Sequence, residues 1–477
     1  MTGPVDAAIA QAALETPDKP AVIETRARAT RSVTWRELDD STRARAAAIR
    51  DSVEGEPLVA VAVSSTLDGV MELAAALRTG LPVFPYNSRS PQGELDRLFA
   101  LAADRYGPVH RPGAVPATPA EASARCAADY VLTGGGTSGT TKLIEGRIGP
   151  HVTSGMAMLL RRTGWTRGLR QLVPGPLYHA APFTSLLSGL LDAHTVVVQG
   201  AFSAEKTAAA IEEHGVEWMQ VTPSHMRAML ESADVTPERL TTLRGLLHTA
   251  APCDEATKRG WIELIGAHRV FEMYGATEQI GMTLARGDEW LARPGTVGKG
   301  FLTQIRVLDE NGAGLAPGQV GRIFMRRGSG RRPTGADLSS VEYTVDGFLT
   351  VGDHGRVDED GYLFLSGRRS DMLTVGGSNV YPAEIERVVM ELPGVRDVAV
   401  AGRDHPDFGS VPVAYVVTEP GTALTAAEIN RHCRGALAVH KRPKHIEFVD
   451  ELPRTEAGKL YRRLLPEPTL RAGRPTR

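Results

Sequence analysis

The feature that most restricts the fold is an alternation, repeated along much of the chain, of short β-rich apolar runs with amphipathic helical stretches. Residues 57–63 (PLVAVAV) read as a buried strand, and residues 67–78 (LDGVMELAAALR) follow as a helix because apolar side chains return every three or four positions. The pattern recurs at residues 81–85, at 195–198 before a helix over 203–214, and at 218–221 before a helix over 223–233. Strands separated by helices at this spacing are joined by crossovers, so the predicted class is α/β with layered, largely parallel sheets. Residues 107–127, rich in Pro and Ala, read as an irregular connection.

From about Gly321 the texture changes to short strands punctuated by Gly and Asp, which adds a β-rich portion. A compact α+β segment follows, with helices over 383–391 and 426–437 and strands over 397–401 and 412–418. At 477 residues the chain exceeds one ordinary core. A boundary near Gly367 divides it into a large amino-terminal domain, 1–366, and a small carboxy-terminal domain, 367–477. The Pro- and Arg-rich tail after Leu465 is expected to be disordered.

Composition removes several classes of function. A formal net charge of -2, with 42% apolar and 23% charged residues, leaves no basic field for nucleic acid. The amino terminus, MTGPVDAAIAQAALETPDKP, has neither a charged n-region nor an apolar h-region. No apolar run approaches the ~20 residues of a membrane helix, so no membrane span and a cytoplasmic location are expected. Cys126, Cys253 and Cys433 are too few and too scattered for a disulfide framework or a cysteine zinc site.

The stretch VLTGGGTSGTTKLIEG, residues 131–146, follows a strand-like run and invites an anion, because unobstructed backbone N–H groups beside hydroxyls cradle phosphate oxygens. Gly134-Gly135-Gly136-Thr137-Ser138-Gly139 fits GxGxxG, but a dinucleotide site also wants an acidic residue roughly 20 positions on, and residues 147–171 contain none. The pattern GxxxxGK[ST] fails because Lys142 comes three residues after Gly139. A surface turn without a ligand is the bland alternative. Asp407-Phe408-Gly409 spells the kinase metal-binding triplet without a His-Arg-Asp loop upstream, and no HExxH or GxSxG is present.

Four further segments change the meaning of the glycine-rich one. They are Tyr274-Gly275-Ala276-Thr277-Glu278; Gly352-Asp353-His354-Gly355-Arg356; Gly367-Arg368-Arg369-Ser370-Asp371 running on to residues 376–386 (GGSNVYPAEIE); and Pro453-Arg454-Thr455-Glu456-Ala457-Gly458-Lys459. In this order the five resemble the adenylate-forming superfamily of acyl-CoA synthetases, nonribosomal-peptide adenylation domains and luciferases. The resemblance begins at residues 33–38 (VTWREL), similar to that family's "LTYxEL" segment, and covers nearly the whole chain.

The resemblance implies ATP-dependent conversion of a carboxylic acid to an acyl adenylate, with release of pyrophosphate, then transfer to a thiol, with CoA as the expected acceptor. Tyr274 would stack on adenine, with Glu272 accepting from its exocyclic amine and Met273, Gly275 and the Ala250-Ala251-Pro252 backbone completing the slot. Thr277 would bond the α-phosphate, Glu278 would hold Mg²⁺, Asp353 would accept from the ribose hydroxyls, and Arg368 would place a cation near ribose and phosphates. Lys459 would reach the substrate carboxylate and α-phosphate. The family's phosphate loop resembles S-G-T-T-G-x-P-K-G, from which this chain departs. One register lays residues 135–142 on it, keeping Lys142 but with Thr141 at the usual proline; the other aligns Thr137, Ser138, Gly139, Thr140 and Thr141 and loses the later glycine and lysine. The first is preferred because it keeps a cation beside the leaving group.

The same resemblance implies a small lid domain swivelling about a hinge near residues 368–371, with Ser370 where the family usually has Asp or Lys. Gly376 and Gly377 would line the thiol tunnel. Residues 176–183 (PLYHAAPF) resemble the segment carrying a gate beside the carboxylate, which makes His179 and Phe183 substrate-site candidates, and Trp218, Met219, Thr249, Gly275, Gln279 and Gly281 fall where family pockets are lined. The Pro-Leu-Tyr-His segment is most similar to that of synthetases for bulky alicyclic acids such as bile acids, and of related actinobacterial enzymes in terpenoid or polyketide pathways. Aryl and fatty acids stay open, as do a carrier-protein thiol or an amine as acceptor, a catalytically lapsed binding module, and an oligomeric state in which a homodimer is one option.

Overall fold

The computed structural model of the protein describes residues 3–25, 30–111, 128–134, 142–148, 154–276, 278–328, 341–368, 371, 373–375, 378–405, 409–454 and 460–468. They fall into two compact units. The first comprises Met1–Pro294, Gly300–Gln304 and Arg326–Val341, and the second Gly295–Lys299, Ile305–Met325 and Glu342–Arg477.

The first unit runs α1 (Pro4–Glu15), β1 (Pro20–Glu24), β2 (Arg31–Thr34), α2 (Trp35–Asp51), β3 (Leu58–Ala62), α3 (Leu67–Arg78), β4 (Val83–Tyr86), α4 (Gln92–Tyr106), β5 (Val109–His110), β6 (Tyr130–Gly134) and β7 (Lys142–Gly146). It continues with α5 (Gly155–Arg161), β8 (Arg170–Leu172), α6 (Ala180–Leu191), β9 (Thr195–Val198), α7 (Ala204–His214), β10 (Trp218–Val221), α8 (Pro223–Leu230), β11 (Gly245–His248), α9 (Glu255–Ile265), β12 (Val270–Gly275) and β13 (Met282–Arg286). The start signals are chemical: Thr34 and Glu37 close a capping box on α2, Thr66 accepts from the Gly69 N–H to open α3, and Asp254 accepts from the Thr257 N–H to open α9.

A smaller sheet is ordered β5-β3-β4-β6-β7, parallel except for the last pair, and a larger one runs β13-β12-β11-β10-β8-β9-β1-β2, parallel from β12 to β1. Every residue of α3 except Asp68 and Glu72 is buried, which is what a helix apolar on all sides requires. One core joins it to Val59, Val61 and Val83 of the smaller sheet and to Val22, Val196 and Val198 of the larger. At its end Arg78, 5% exposed, is neutralised by Asp6 and Asp39 at 2.5 and 2.8 Å, as so deep a cation demands. The opposite face of the larger sheet is covered by α7, α8 and α9 through Ile211, Met226, Trp261 and Ile265.

In the second unit, Gly321–Arg327, Leu349–Thr350, Asp353–Val357 and Leu363–Arg368 form an antiparallel sheet. A second sheet contains Leu373–Val375, Ser378–Val380, Val395–His405, Gly409–Thr418 and His445–Phe448. Its alternating residues Val398 and Val400 face a core shared with Ile385 and Ile429 of the helices Pro382–Met390 and Ala426–Ala436, while Ala399 and Ala401 face Tyr415 and Leu452.

The expected class, α/β with a β-rich portion and a small α+β carboxy-terminal part, is the observed one. Strands Thr195–Val198 and Trp218–Val221 and helix Leu67–Arg78 coincide with their predicted spans. Strand Val395–His405 extends beyond the predicted 397–401, because backbone pairing carries on to His405 opposite Gly409 past polar residues that break the apolar signal. Most of the connection predicted over 107–127, and the tail beyond residue 468, lie outside the described residues. Among the described residues no helix is long and apolar enough to cross a membrane.

Candidate active site

In the larger sheet β8 is followed by β9 on one side and then by β10 on the other, so connections diverge at the carboxyl ends of β8 and β10. Such a switch point opens a crevice in which α/β proteins hold ligands. His179 lies after β8 as the residue preceding α6, half-buried, its ring 4.7 Å from that of Tyr178. The Tyr178 hydroxyl in turn accepts from Asn87 Nδ2 at 3.1 Å, which ties this segment to the end of β4.

The next loops along the same edge leave β11 and β12. Four non-glycine residues with positive φ occur among the described residues, and two of them, Ala250 (φ 80°) and Gln279 (φ 56°), lie in these loops. Left-handed backbone at residues with a Cβ is held only by its surroundings, and it concentrates where loops are shaped for a ligand. Gln279 N donates to Ala276 O at 2.9 Å and closes the turn that contains half-buried Glu278. Gln279 Nε2 then reaches Glu145 O on β7 at 3.4 Å. Gly134 and Lys142 are opposed in the β6–β7 ladder, so the glycine-rich segment leaves and rejoins the hairpin whose returning strand Gln279 touches. Gly146 ends β7 as a glycine because a Cβ there would fall 2.0 Å from the Tyr130 ring.

Along β12 successive side chains alternate faces: Val270 joins the core with α9, whereas Phe271 and Met273 join Leu247 and Trp218 on the other side. Glu272 therefore points towards α9 and is 7% exposed. Its Oε2 accepts from Lys258 Nζ at 2.8 Å, and Lys258 also donates to His248 Nε2. The carboxylate expected to meet adenine is thus already engaged by a buried lysine. Burial and the adjacent Lys258 hold His248 neutral, with its pKa well below the usual histidine range. Burial likewise pushes the Cys253 thiol far up, so it is inert as a nucleophile.

Three residues expected in the acid pocket, Trp218, Phe183 and Met219, are fully buried among core side chains. Trp218 is 0% exposed, its ring 4.6 Å edge-on from Trp165 and its indole N–H donating to Thr163 Oγ1 at 3.0 Å. Phe183, also 0% exposed, packs 4.8 Å from the Tyr130 ring. Their large apolar surfaces serve packing, a role that residue type alone does not distinguish from lining a pocket. Met219 is buried on the face opposite Trp218. Thr249, Ala251, Pro252, Gly275 and Gly281 all lie in or beside the loops after β11 and β12.

In the second unit Asp353, 7% exposed, stands directly opposite Arg368 in the antiparallel ladder, which joins residues distant in sequence at one position. Of Arg368 and Lys142 only the backbone is described. Thr137, Ser138, Gly139, Thr140, Thr141, Thr277, Ser370, Gly376, Gly377 and Lys459 lie outside the described residues. Lys459 is bracketed by anchored neighbours: Arg454 makes a two-pronged pair with Asp397 at 2.8 and 2.9 Å, and Arg462 Nη2 meets Glu386 at 2.5 Å. Among the described residues no group of three or more His, Cys, Asp and Glu converges as a metal site. Glu278 offers one carboxylate, a hard oxygen donor of the kind that would hold Mg²⁺.

Parallel strands with a topological switch point, a hairpin that carries the glycine-rich segment and touches the turn after β12, and a separate small α+β portion are the arrangement expected of an adenylate-forming enzyme. Residues 9–107 and 115–330 match the AMP-binding enzyme family, and residues 384–459 match the AMP-binding enzyme C-terminal domain, so the chain belongs to the AMP-binding enzyme family. It is 30% identical over 338 residues to 2-succinylbenzoate--CoA ligase of Bacillus pumilus, spanning 69% of this chain and 67% of that one. It is 32% identical over 358 residues to the 7a-methyl-1,5-dioxo-octahydro-1H-inden-4-yl propanoyl:CoA ligase of Rhodococcus jostii, over 73% and 68%. Its fold superimposes on ATP-bound MatB from Rhodopseudomonas palustris with a TM-score of 0.80 at 25% identity, covering 97% and 98% of the two chains. The family inferred from the five motifs is thereby borne out.

Proposed function

We propose that the chain is an AMP-forming acid–thiol ligase acting on a bulky, largely apolar carboxylic acid, with ATP and Mg²⁺ as co-reactants and CoA as acceptor. A carboxylate oxygen attacks the α-phosphorus as the bond to pyrophosphate breaks; a thiolate then attacks the acyl carbonyl and AMP leaves. The first step brings two anions together, so it needs positioned positive charge. Mg²⁺ supplies part of that charge when bound, and Glu278 is the residue to hold it. Lys459 serves the carboxylate and α-phosphate, Thr277 the α-phosphate, Asp353 the ribose, and residues 137–142 the leaving phosphates. His179 borders the acid, and Gly376 and Gly377 give the thiol close access to the backbone.

The observation that carries this reading is the Gln279–Glu145 contact, which supports assigning the glycine-rich segment and the Tyr274 turn to one ligand. The Rhodococcus relative, a ligase for a bicyclic propanoate, and the half-buried His179 at the switch point support a bulky acid. We keep the division at 1–366 and 367–477 with a hinge near 368–371, and a cytoplasmic setting, as parts of the same proposal. Carboxylate-dependent exchange of labelled pyrophosphate into ATP, followed by CoA thioester formation, tests it over polycyclic, aromatic and fatty acids. Exchange with polycyclic acids is the expected result. Absence of exchange with every acid would leave a nucleotide-binding module, and exchange without thioester would redirect the acyl group to a carrier protein or an amine.

A further inference from the structure

We propose that Lys258 is a positioning residue for nucleotide recognition: buried behind β12, its ammonium fixes the Glu272 carboxylate, so that acceptor oxygens are what the base meets. The inference rests on the adenylation reading and adds to it the reason the enzyme accepts one purine and refuses another.

Lys258 is 1% exposed, Glu272 7% and His248 0%. Lysine is almost never so deeply buried without a partner, and replacing a buried ion pair by apolar residues of similar volume is often neutral or stabilising. Stability therefore does not by itself call for this pair. Its position suggests another use. His248 and Glu272 are register partners on the last rung between β11 and β12; His248 ends β11 just before the loop that carries Ala251, Glu272 lies three residues before the end of β12, and Lys258 approaches both from α9.

The donor directions are determined. An ammonium has three N–H groups and no lone pair, so Lys258 donates to Glu272 Oε2 at 2.8 Å and to His248 Nε2, and its third side faces the Trp290 ring at 5.8 Å. His248 must then carry its proton on Nδ1, a buried atom with no hydrogen-bond partner. Lys258 is thus held from both strands and cannot swing away from the carboxylate. The remaining ionisable neighbours are Cys253 and Asp254 after β11 and Arg227 on α8; Asp254 and Arg227 pair with each other at 2.8 Å.

A carboxylate only accepts, whereas an amide both accepts and donates. Adenine presents an exocyclic amine where guanine presents a carbonyl. A carboxylate at Glu272 welcomes the first and repels the second, and the discrimination depends on how firmly the carboxylate is held.

The test is calorimetric binding of MgATP and MgGTP to the full chain, which needs no acid substrate. Wild type should bind MgATP and discriminate against MgGTP. Lys258→Met should weaken MgATP by about tenfold or more while leaving MgGTP nearly unchanged, because the carboxylate loses the partner that fixes it. Equal weakening for both nucleotides would make Lys258 a support of the fold and overturn the proposal. Should Lys258→Met not fold, Glu272→Gln decides: it keeps the shape and adds an N–H donor, so the ATP preference should narrow by about tenfold. An unchanged preference overturns the proposal. A wild type that binds neither nucleotide removes the adenylation reading itself, a result distinct from either failure above.

Discussion

The side-chain amide of Gln279 donates to the backbone carbonyl of Glu145 across 3.4 Å, which ties the turn after Tyr274 to the strand leaving the glycine-rich segment. The two stretches are far apart in sequence, and Gln279 reaches across from a left-handed backbone conformation. That unfavourable conformation is retained where it joins the two proposed halves of a triphosphate site.

Glu278 tests the metal assignment. Glu278→Gln removes charge but not volume, so pyrophosphate exchange should fall by about 100-fold or more. The melting temperature should remain near that of wild type. Exchange at the wild-type rate would mean that Mg²⁺ is held elsewhere.

Lys459 separates the two half-reactions. Lys459→Ala should cost on the order of 100-fold or more in adenylate formation from acid and ATP, as loss of a charge partner does. Thioester formation from chemically prepared acyl adenylate and CoA should be nearly unaffected. Matching losses in the two rates would assign Lys459 to the fold, and no loss in either would detach it from catalysis.

Trp218 tests the distinction between core and pocket. Trp218→Phe should destabilise by about 1–3 kcal/mol in urea unfolding, through lost volume and an indole hydrogen bond that Thr163 no longer receives. Its acid preference should not change. His179→Ala should do the reverse, shifting acid preference with little effect on stability, and a changed preference in Trp218→Phe would return that residue to the pocket wall.

His225 contributes a pH-dependent part of stability. Burial against Phe202, with ring centroids 4.2 Å apart, lowers its pKa from 6.5 to about 4. The unfolded chain therefore binds a proton that the folded one refuses between those values. The stabilising contribution is complete above pH 6.5 and is lost as pH falls towards about 4. His225→Phe keeps the stack and should make the acid limb of a urea stability curve shallower by about 1.4 kcal/mol per pH unit. An unchanged slope would show that His225 is protonated in the native state.

The fold was legible wherever burial set the side-chain period. Helix Leu67–Arg78 and strands Thr195–Val198 and Trp218–Val221 are apolar because they are enclosed, and their spans could be read directly. The ends of strand Val395–His405 could not, because there the ladder is held by backbone groups common to all residues. Within the site, the motifs marked the loops but not the support beneath them. A signal for Lys258 was present: it shares one helical face with Trp261, Ile262 and Ile265, an odd place for a lysine unless a buried carboxylate answers it. Trp218 is ambiguous in the sequence because a tryptophan in the core and one in a pocket present the same letter.

The parallel pairing of Val22 on β1 with Val196 on β9 sets a schedule for synthesis. The first strand leaves the ribosome before its neighbour has been translated, and at about 5–20 residues per second the wait is roughly ten to thirty-five seconds. Throughout that interval β2 is the one neighbour available to β1, and the apolar run Ala21–Val22–Ile23 keeps its other edge open. The nascent chain should therefore engage holding chaperones early and release them only once β9 has emerged, with β10 to β13 still to be added on the far side of β8.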